Sequence, residues 1–239
     1  MDENKLTCVS GYWNIKNKHG NNFDKWFQNT LKINCPYVFF SDKETINLIK
    51  KYREDLPTYY IECNIDDFYT YKFRDRMITD PEHSPSIELK LIWNEKIFLV
   101  QKAFKINPFN SEYFAWVDAG ICCYREKPPP KVPFPNLDKL RNLPNDKFIF
   151  TSIDDYERRC KMKPDSLYFT MLYVIGTSYL LHKDIINNFV EIYKHYLDKL
   201  VDKSIVWTDQ IILTHIYKDF PQLFYKLSEG WGNIVPELY

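Results

Sequence analysis

Tyr113–Gly120 reads YFAWVDAG, and the parsing of the whole chain follows from these eight residues. Five apolar or aromatic residues in a row, stopped by Asp118-Ala119-Gly120, have the pattern of a fully buried strand that ends in a turn. The strand leaves a carboxylate at its mouth. Burying that charge costs several kcal/mol unless a cation or hydrogen-bond donors compensate it. A divalent metal bridging to a diphosphate is one compensation. A turn in which Asp118 acts as the cap is the other.

Outward toward the amino terminus, Ser86–Lys105 carries Leu89, Ile92, Trp93, Ile97, Val100 and Phe104 at helical spacing, which predicts a long amphipathic helix. Before it, Ile65–Pro85 is polar and aromatic without a clear period and reads as a short helix plus loop. Leu6–Ser10 (LTCVS), Tyr37–Phe40 (YVFF) and Thr58–Cys63 are strand-like, and Gly11 ends the first. Helices at Asn22–Leu31 and Lys43–Arg53 alternate with them, the second capped by Ser41-Asp42. Strand, helix, strand, helix, strand is the order of a parallel sheet wrapped by helices.

Outward toward the carboxyl terminus, Pro128–Pro135 (PPPKVPFP) is a stiff spacer, after which Phe148–Ile153 (FIFTSI) resumes strand character. Leu167–His182 reads as two strands broken at Gly176, and Lys183–Leu200 as a helix. Trp207–Tyr217 is a further helix opened by Thr208-Asp209, and Leu223–Tyr239 is an irregular tail with one short strand.

With 239 residues the chain fits one large domain or two small ones, and 45% hydrophobic against 27% charged residues is a globular balance. The 18 Tyr, 17 Phe and 6 Trp are an unusually large stock of rings, able to fill a core or to stack on bases and sugar faces. Lys plus Arg equals Asp plus Glu at 32 each, so there is no positive surplus for releasing counterions from nucleic acid, and no nucleic-acid partner is expected. The polar, acidic start MDENKL and the lack of any 18-residue apolar run predict no secretory signal, no membrane span and a cytoplasmic location. The six cysteines form no CxxC pair and read as buried thiols, and the five histidines form neither HExxH nor HxH, so a zinc site is unsupported. No GxSxG, GxxxxGK[ST] or GxGxxG is present.

Open α/β sheets bind ligands at the carboxyl ends of their strands. Ser10-Gly11-Tyr12, Ser41-Asp42 and Asp118-Ala119-Gly120 are therefore the first candidates to line one crevice. Asp209 and Gln210 can grip sugar hydroxyls at a helix start, or Thr208 and Asp209 simply cap it. Gly176, ahead of Thr177-Ser178, either admits a ligand close to the backbone or marks a bulge. Lys96 can reach a phosphate or sit solvated on the helix surface. Asp154-Asp155 is a second place for a metal.

The segments VSGYWNI, YVFFSD, IWNEKIFLVQKAFKINPF, FAWVDAGI, VIGTSYLLHKDIINNF and WTDQIILTHIYKDFPQLF follow one another in this order, and the chain resembles the HtrL/YibB-type family of glycosyltransferases. More loosely it is similar to GT-A families with a DxD-like motif. The resemblance implies a single GT-A-like (Rossmann-like) domain over residues 1–239, with a mostly parallel central sheet flanked by helices. Residues 1–120 would be the nucleotide-binding half and 121–239 the acceptor-side half.

It further implies a UDP- or GDP-linked sugar donor and a glycan or other hydroxyl acceptor. Ser10, Gly11 and Tyr12 would border the base, with Asp42 near base or ribose. Asp118 would serve ribose and a Mn²⁺ or Mg²⁺ ion, and Thr177 and Ser178 would meet the donor sugar. Asp209 and Gln210 would stand at the donor–acceptor junction, and Asp209 or Asp155 would be the base for an inverting reaction. Gly120 replaces the last carboxylate of DxD, so either another side chain completes the metal shell or Lys96 neutralises the diphosphate. The alternative is a noncatalytic nucleotide-sugar or carbohydrate binder on the same fold. A nucleotidyltransferase ranks behind both, since only Gly11 stands near the first strand where a glycine-rich loop would be needed.

Overall fold

The computed structural model describes residues 5–15, 22–78, 86–153 and 172–239. Seven strands form one sheet: β1 (Leu6–Gly11), β2 (Tyr37–Ser41), β3 (Thr58–Glu62), β4 (Tyr113–Val117), β5 (Phe148–Ser152), β6 (Val174–His182) and β7 (Phe224–Glu229). Their order is β3-β2-β1-β4-β6-β5-β7. Parallel pairing joins β3, β2, β1 and β4, and also β5 with β7, while β6 runs antiparallel between β4 and β5. Central strands β2, β4 and β5 are buried at every residue, as their unbroken apolar runs require, whereas edge strands β3 and β7 are largely exposed or half-buried.

The helices are α1 (Phe23–Thr30), α2 (Lys43–Arg53), α3 (Ile87–Ile106), α4 (Leu137–Arg141), α5 (Lys183–Val201), α6 (Asp209–Asp219) and α7 (Ile234–Leu238). The caps are local, as the sequence suggests. Asp42 accepts from Thr45 N at 2.8 Å, and Ser86 Oγ from Leu89 N at 3.2 Å.

Three expectations are corrected. The helix expected to be amphipathic, α3, packs on β1 and β4 with one side and on α5 and α6 with the other, and it buries Lys90, Asn94, Glu95 and Lys96 along with its apolar residues. A helix covered on both sides cannot leave a polar stripe in water, so its polar side chains need partners inside the protein. The break expected at Gly176 is absent, and β6 runs through it without interruption. Instead the β5–β6 register slips: Phe150 faces Tyr179 and Ser152 faces Val174, leaving Ile175–Ser178 opposite Thr151 alone. The chain therefore bulges at Gly176 while staying a strand. The tail also ends in α7 rather than irregular structure.

Arg53, at the end of α2, is fully buried without a carboxylate. Its Nη1 donates to the carbonyls of Leu31 and Ile33 at 2.7 and 2.9 Å, and its Nη2 to those of Cys35 and Pro57 at 2.7 and 3.3 Å. The guanidinium also lies 4.1 Å over the Tyr37 ring. Cys8, Cys35 and Cys63 are buried free thiols, while Cys122 and Cys123 are free and half-buried. Cys160 lies outside the described residues. Among the described residues no helix is long and apolar enough to cross a membrane.

Candidate functional site

The chain runs from β1 to β2 and β3 on one side of the sheet and places β4 on the other side of β1. A crevice opens where strand order reverses in this way, outside the carboxyl ends of β1 and β4. The two tips are tied together there: Ser10 Oγ donates to Val117 O at 2.7 Å, and Asp118 N donates to Thr177 O at 2.9 Å across to β6.

Asp118 Oδ1 accepts from Trp116 Nε1 at 2.7 Å and lies 3.0 Å from Lys96 Nζ. The same ammonium donates to Gly176 O at 2.9 Å and stands 3.6 Å from Asp209 Oδ2. Four residues marked separately in the sequence thus meet at one point. The Lys96 and Asp209 side chains are 5% and 4% exposed and that of Asp118 is 29%, so Asp118 is the member open to a ligand. Burial pulls the Lys96 pKa down, but the carboxylates of Asp118 and Asp209 outweigh it and hold the pKa above the ordinary lysine value. Burial raises the Asp209 pKa against the pull of Lys96, with Asp118 pushing the same way as burial. One ammonium serves two carboxylates, and the excess negative charge shows in Asp209.

Thr208 occupies the N-cap position of α6, yet its hydroxyl donates to Asp209 Oδ1 at 3.0 Å instead of capping. Among the described residues Asp209 Oδ2 accepts no hydrogen bond. Gly176 explains how the carboxylate fits: a Cβ there would sit 2.7 Å from Asp209 Oδ1 and nearer still to Oδ2. Nearby, the side-chain oxygens of Thr177 and Ser178, on the stretch where β6 loses its pairing with β5, and of Gln210 on α6 are enclosed with no hydrogen-bond partner among the described residues.

These residues do not fit a metal held by the protein alone. The Lys96 ammonium already occupies the place between Asp118 and Asp209, and among the described residues no three Asp, Glu, His or Cys side chains gather to hold an ion. At Gly120, where DxD would have its second carboxylate, a Cβ would sit 3.2–3.3 Å from Trp26 and Phe23, so a side chain there would need these rings to give by a few tenths of an ångström. Asp154 and Asp155 lie outside the described residues.

The remaining candidates gather elsewhere on the same edge. A cavity of about 680 Å³ opens outside β1, β2 and β3, lined by Tyr12, Asn14, Phe23, Asp24, Asp42 and Thr45 among others. Tyr12 packs tilted against Phe23 and edge-on to Phe27, with centroids 5.4 and 4.5 Å apart, and Ser41 Oγ donates to Tyr12 O. Gly11 leaves space for the Trp13 ring, whose Nε1 donates to Cys63 O at 2.7 Å. Asp42 lines the cavity with a carboxylate already used as a cap by Thr45. Lys96, Asp118 and Asp209 do not line it. Phe23 joins the two places: it faces the cavity and, with Trp26, forms the floor under Gly120. Sequence reading missed Asn14, Asp24 and Thr45 as lining residues, for which no local pattern exists.

Residues 59–235 match the family described as "Bacterial protein of unknown function (HtrL_YibB)", and the chain belongs to that family. No curated protein matches it. Among solved structures, the 4-diphosphocytidyl-2C-methyl-D-erythritol synthase of Anaerococcus prevotii DSM 20548 is similar at 10% identity with a TM-score of 0.40, over 95% of this chain and 89% of that one.

Proposed function

We propose that this HtrL_YibB family member is a GT-A-type glycosyltransferase, moving a sugar from a UDP- or GDP-linked donor to a hydroxyl acceptor such as a glycan. The observation that carries the reading is the convergence of Lys96, Asp118, Gly176 and Asp209 at the strand-switch crevice, beside an aromatic-lined cavity. The cavity suits a base and ribose, with Tyr12 and Phe23 as stacking surfaces. Residues 1–120 then form the nucleotide half and 121–239 the acceptor side.

In this reading Asp118 accepts hydrogen bonds from donor hydroxyls, being the exposed carboxylate. Asp209 acts through Lys96, fixing the ammonium that in turn fixes Asp118. Thr177, Ser178 and Gln210 supply unpaired hydrogen-bonding groups on the sugar side. The bond from the anomeric carbon to the phosphate oxygen breaks, the electron pair leaves on the nucleoside diphosphate, and the acceptor oxygen takes its place on that carbon. Its proton is released as it bonds.

The test is release of free UDP or GDP from UDP- and GDP-linked hexoses offered with simple saccharides. Release by the wild type, falling about a hundredfold or more in Asp118→Asn, supports the reading. Donor binding without release identifies the noncatalytic binder, and absence of both binding and release sinks the assignment.

A further inference from the structure

We propose that Arg125 holds the diphosphate of the bound nucleotide, in the part otherwise given to a metal ion. The proposal rests on the nucleotide-sugar reading above and deepens it. Lys96, the cation expected at a phosphate, is already committed to Asp118, Gly176 O and Asp209, inside the protein. A diphosphate at the β4 tip needs another source of positive charge.

Arg125 follows Asp118 by a single short turn at Cys122–Tyr124. Its guanidinium lies over the Trp26 ring with Cζ 3.9 Å from the centroid, and its Nε donates to Gly120 O at 3.2 Å. Those contacts use one face and one edge of the fork. The Nη groups, with the rest of the guanidinium's N–H donors, make no hydrogen bond or ion pair among the described residues. Glu126, the nearest carboxylate in sequence, is paired with Lys25 at 2.9 Å. Gly120, whose carbonyl takes the Arg125 Nε bond, belongs to the same strand-end turn as Asp118.

The route from the cavity leads to this fork. Tyr12 and Phe23 line the cavity, Phe23 packs edge-on to Trp26 at 5.1 Å, and Trp26 carries Arg125. Gly120, without a side chain, lies against the two rings and accepts the Arg125 Nε bond, so the guanidinium is held at the end of this aromatic path with its Nη groups unused. A planar fork matches phosphate oxygens two at a time, and a fork already held flat on an indole loses little freedom on binding.

Calorimetric titration of the full chain in EDTA, with UDP and GDP set against uridine and guanosine, tests this. The wild type should bind the favoured diphosphate more tightly than its nucleoside. Arg125→Met keeps a stem on Trp26 but removes the fork, and should lose about ten- to a hundredfold in diphosphate affinity, the worth of one or two charge-assisted hydrogen bonds, with nucleoside affinity unchanged. Arg125→Lys, which keeps the charge if the Met variant unfolds, should recover only part of that gap. Undiminished diphosphate binding by these variants, or wild-type binding that vanishes in EDTA and returns with Mn²⁺, overturns the proposal. If neither nucleosides nor diphosphates bind the wild type, the nucleotide-sugar reading itself falls.

Discussion

The tips of β1–β3 and the tips of β4 and β6 share one edge of one sheet, yet they are built in opposite ways. The first group is open. One cavity-lining carboxylate, Asp42, is satisfied locally, as the cap of the helix that begins one residue later. The second group is closed, and its contacts span the chain: Lys96 reaches Gly176, Asp118 and Asp209 from a helix in the middle of the sequence. Adjacent residues of α3 serve the two sides. Glu95 accepts from the backbone N–H groups of Tyr69 and Thr70 at 3.0 and 2.9 Å, in the segment that follows β3, while Lys96 holds the closed region. The difference teaches that an opening for ligand and a preset charge cluster place different demands on a scaffold, and that one buried helix can fix a connecting segment and a charge cluster from successive residues.

Removing the shared cation should break the comparison most severely. Lys96→Met leaves Asp209 buried and unpaired beside Asp118, and should cost about 3–5 kcal/mol in urea unfolding at neutral pH. The deficit should shrink as acid protonates Asp209, whose pKa burial already raises. A deficit that did not respond to pH would show that the cluster is not held by charge.

The next effect sharpens the contrast along α3. Burial lifts the Glu95 pKa to about 7, against the pull of its two backbone N–H bonds. A carboxyl whose folded pKa is raised contributes stability that is complete below its unfolded pKa and is lost as pH rises through the folded value. The wild type should therefore lose on the order of 2–3 kcal/mol between about pH 4.5 and 7, a slope missing from Glu95→Gln whatever the offset of that variant. Parallel pH profiles for the two proteins would refute this.

The smallest effect belongs to the open region. Asp42→Ala removes a cap and should cost about 1 kcal/mol in thermal or urea unfolding, because among the described residues the Asp42 carboxylate bonds only to Thr45, one turn further along the chain. A cost as large as that of Lys96→Met would mean that the two regions are coupled rather than merely adjacent.

What the sequence made legible follows the same division. The α2 boundaries, its cap at Asp42 and the strand at Tyr113–Val117 rest on short-range signals, and the structure has them. The placement of Asp118 at a strand mouth also follows from its immediate neighbours. The source of its counter-charge does not, since a lysine on an apparently amphipathic helix carries no local mark of being buried. Gly176 read as a break because a strand glycine is ambiguous until its facing side chain, Asp209, is known. The antiparallel insertion of β6 is likewise invisible to periodicity, which reports faces and not neighbours. Arg125 offers no pattern in CCYREKPPP; only its seat on Trp26 singles it out.

At the far edge of the sheet, the Arg53 guanidinium gathers carbonyls from the approaches to both β2 and β3. A lysine, with one point charge and no fork, could not span them. The alignment of these strands is thus anchored from the end opposite the candidate site. Loops at the opposite end can then be lengthened, shortened or rewritten over evolutionary time without unseating the strands that carry them, which is how a lineage can change what it recognises while keeping its frame.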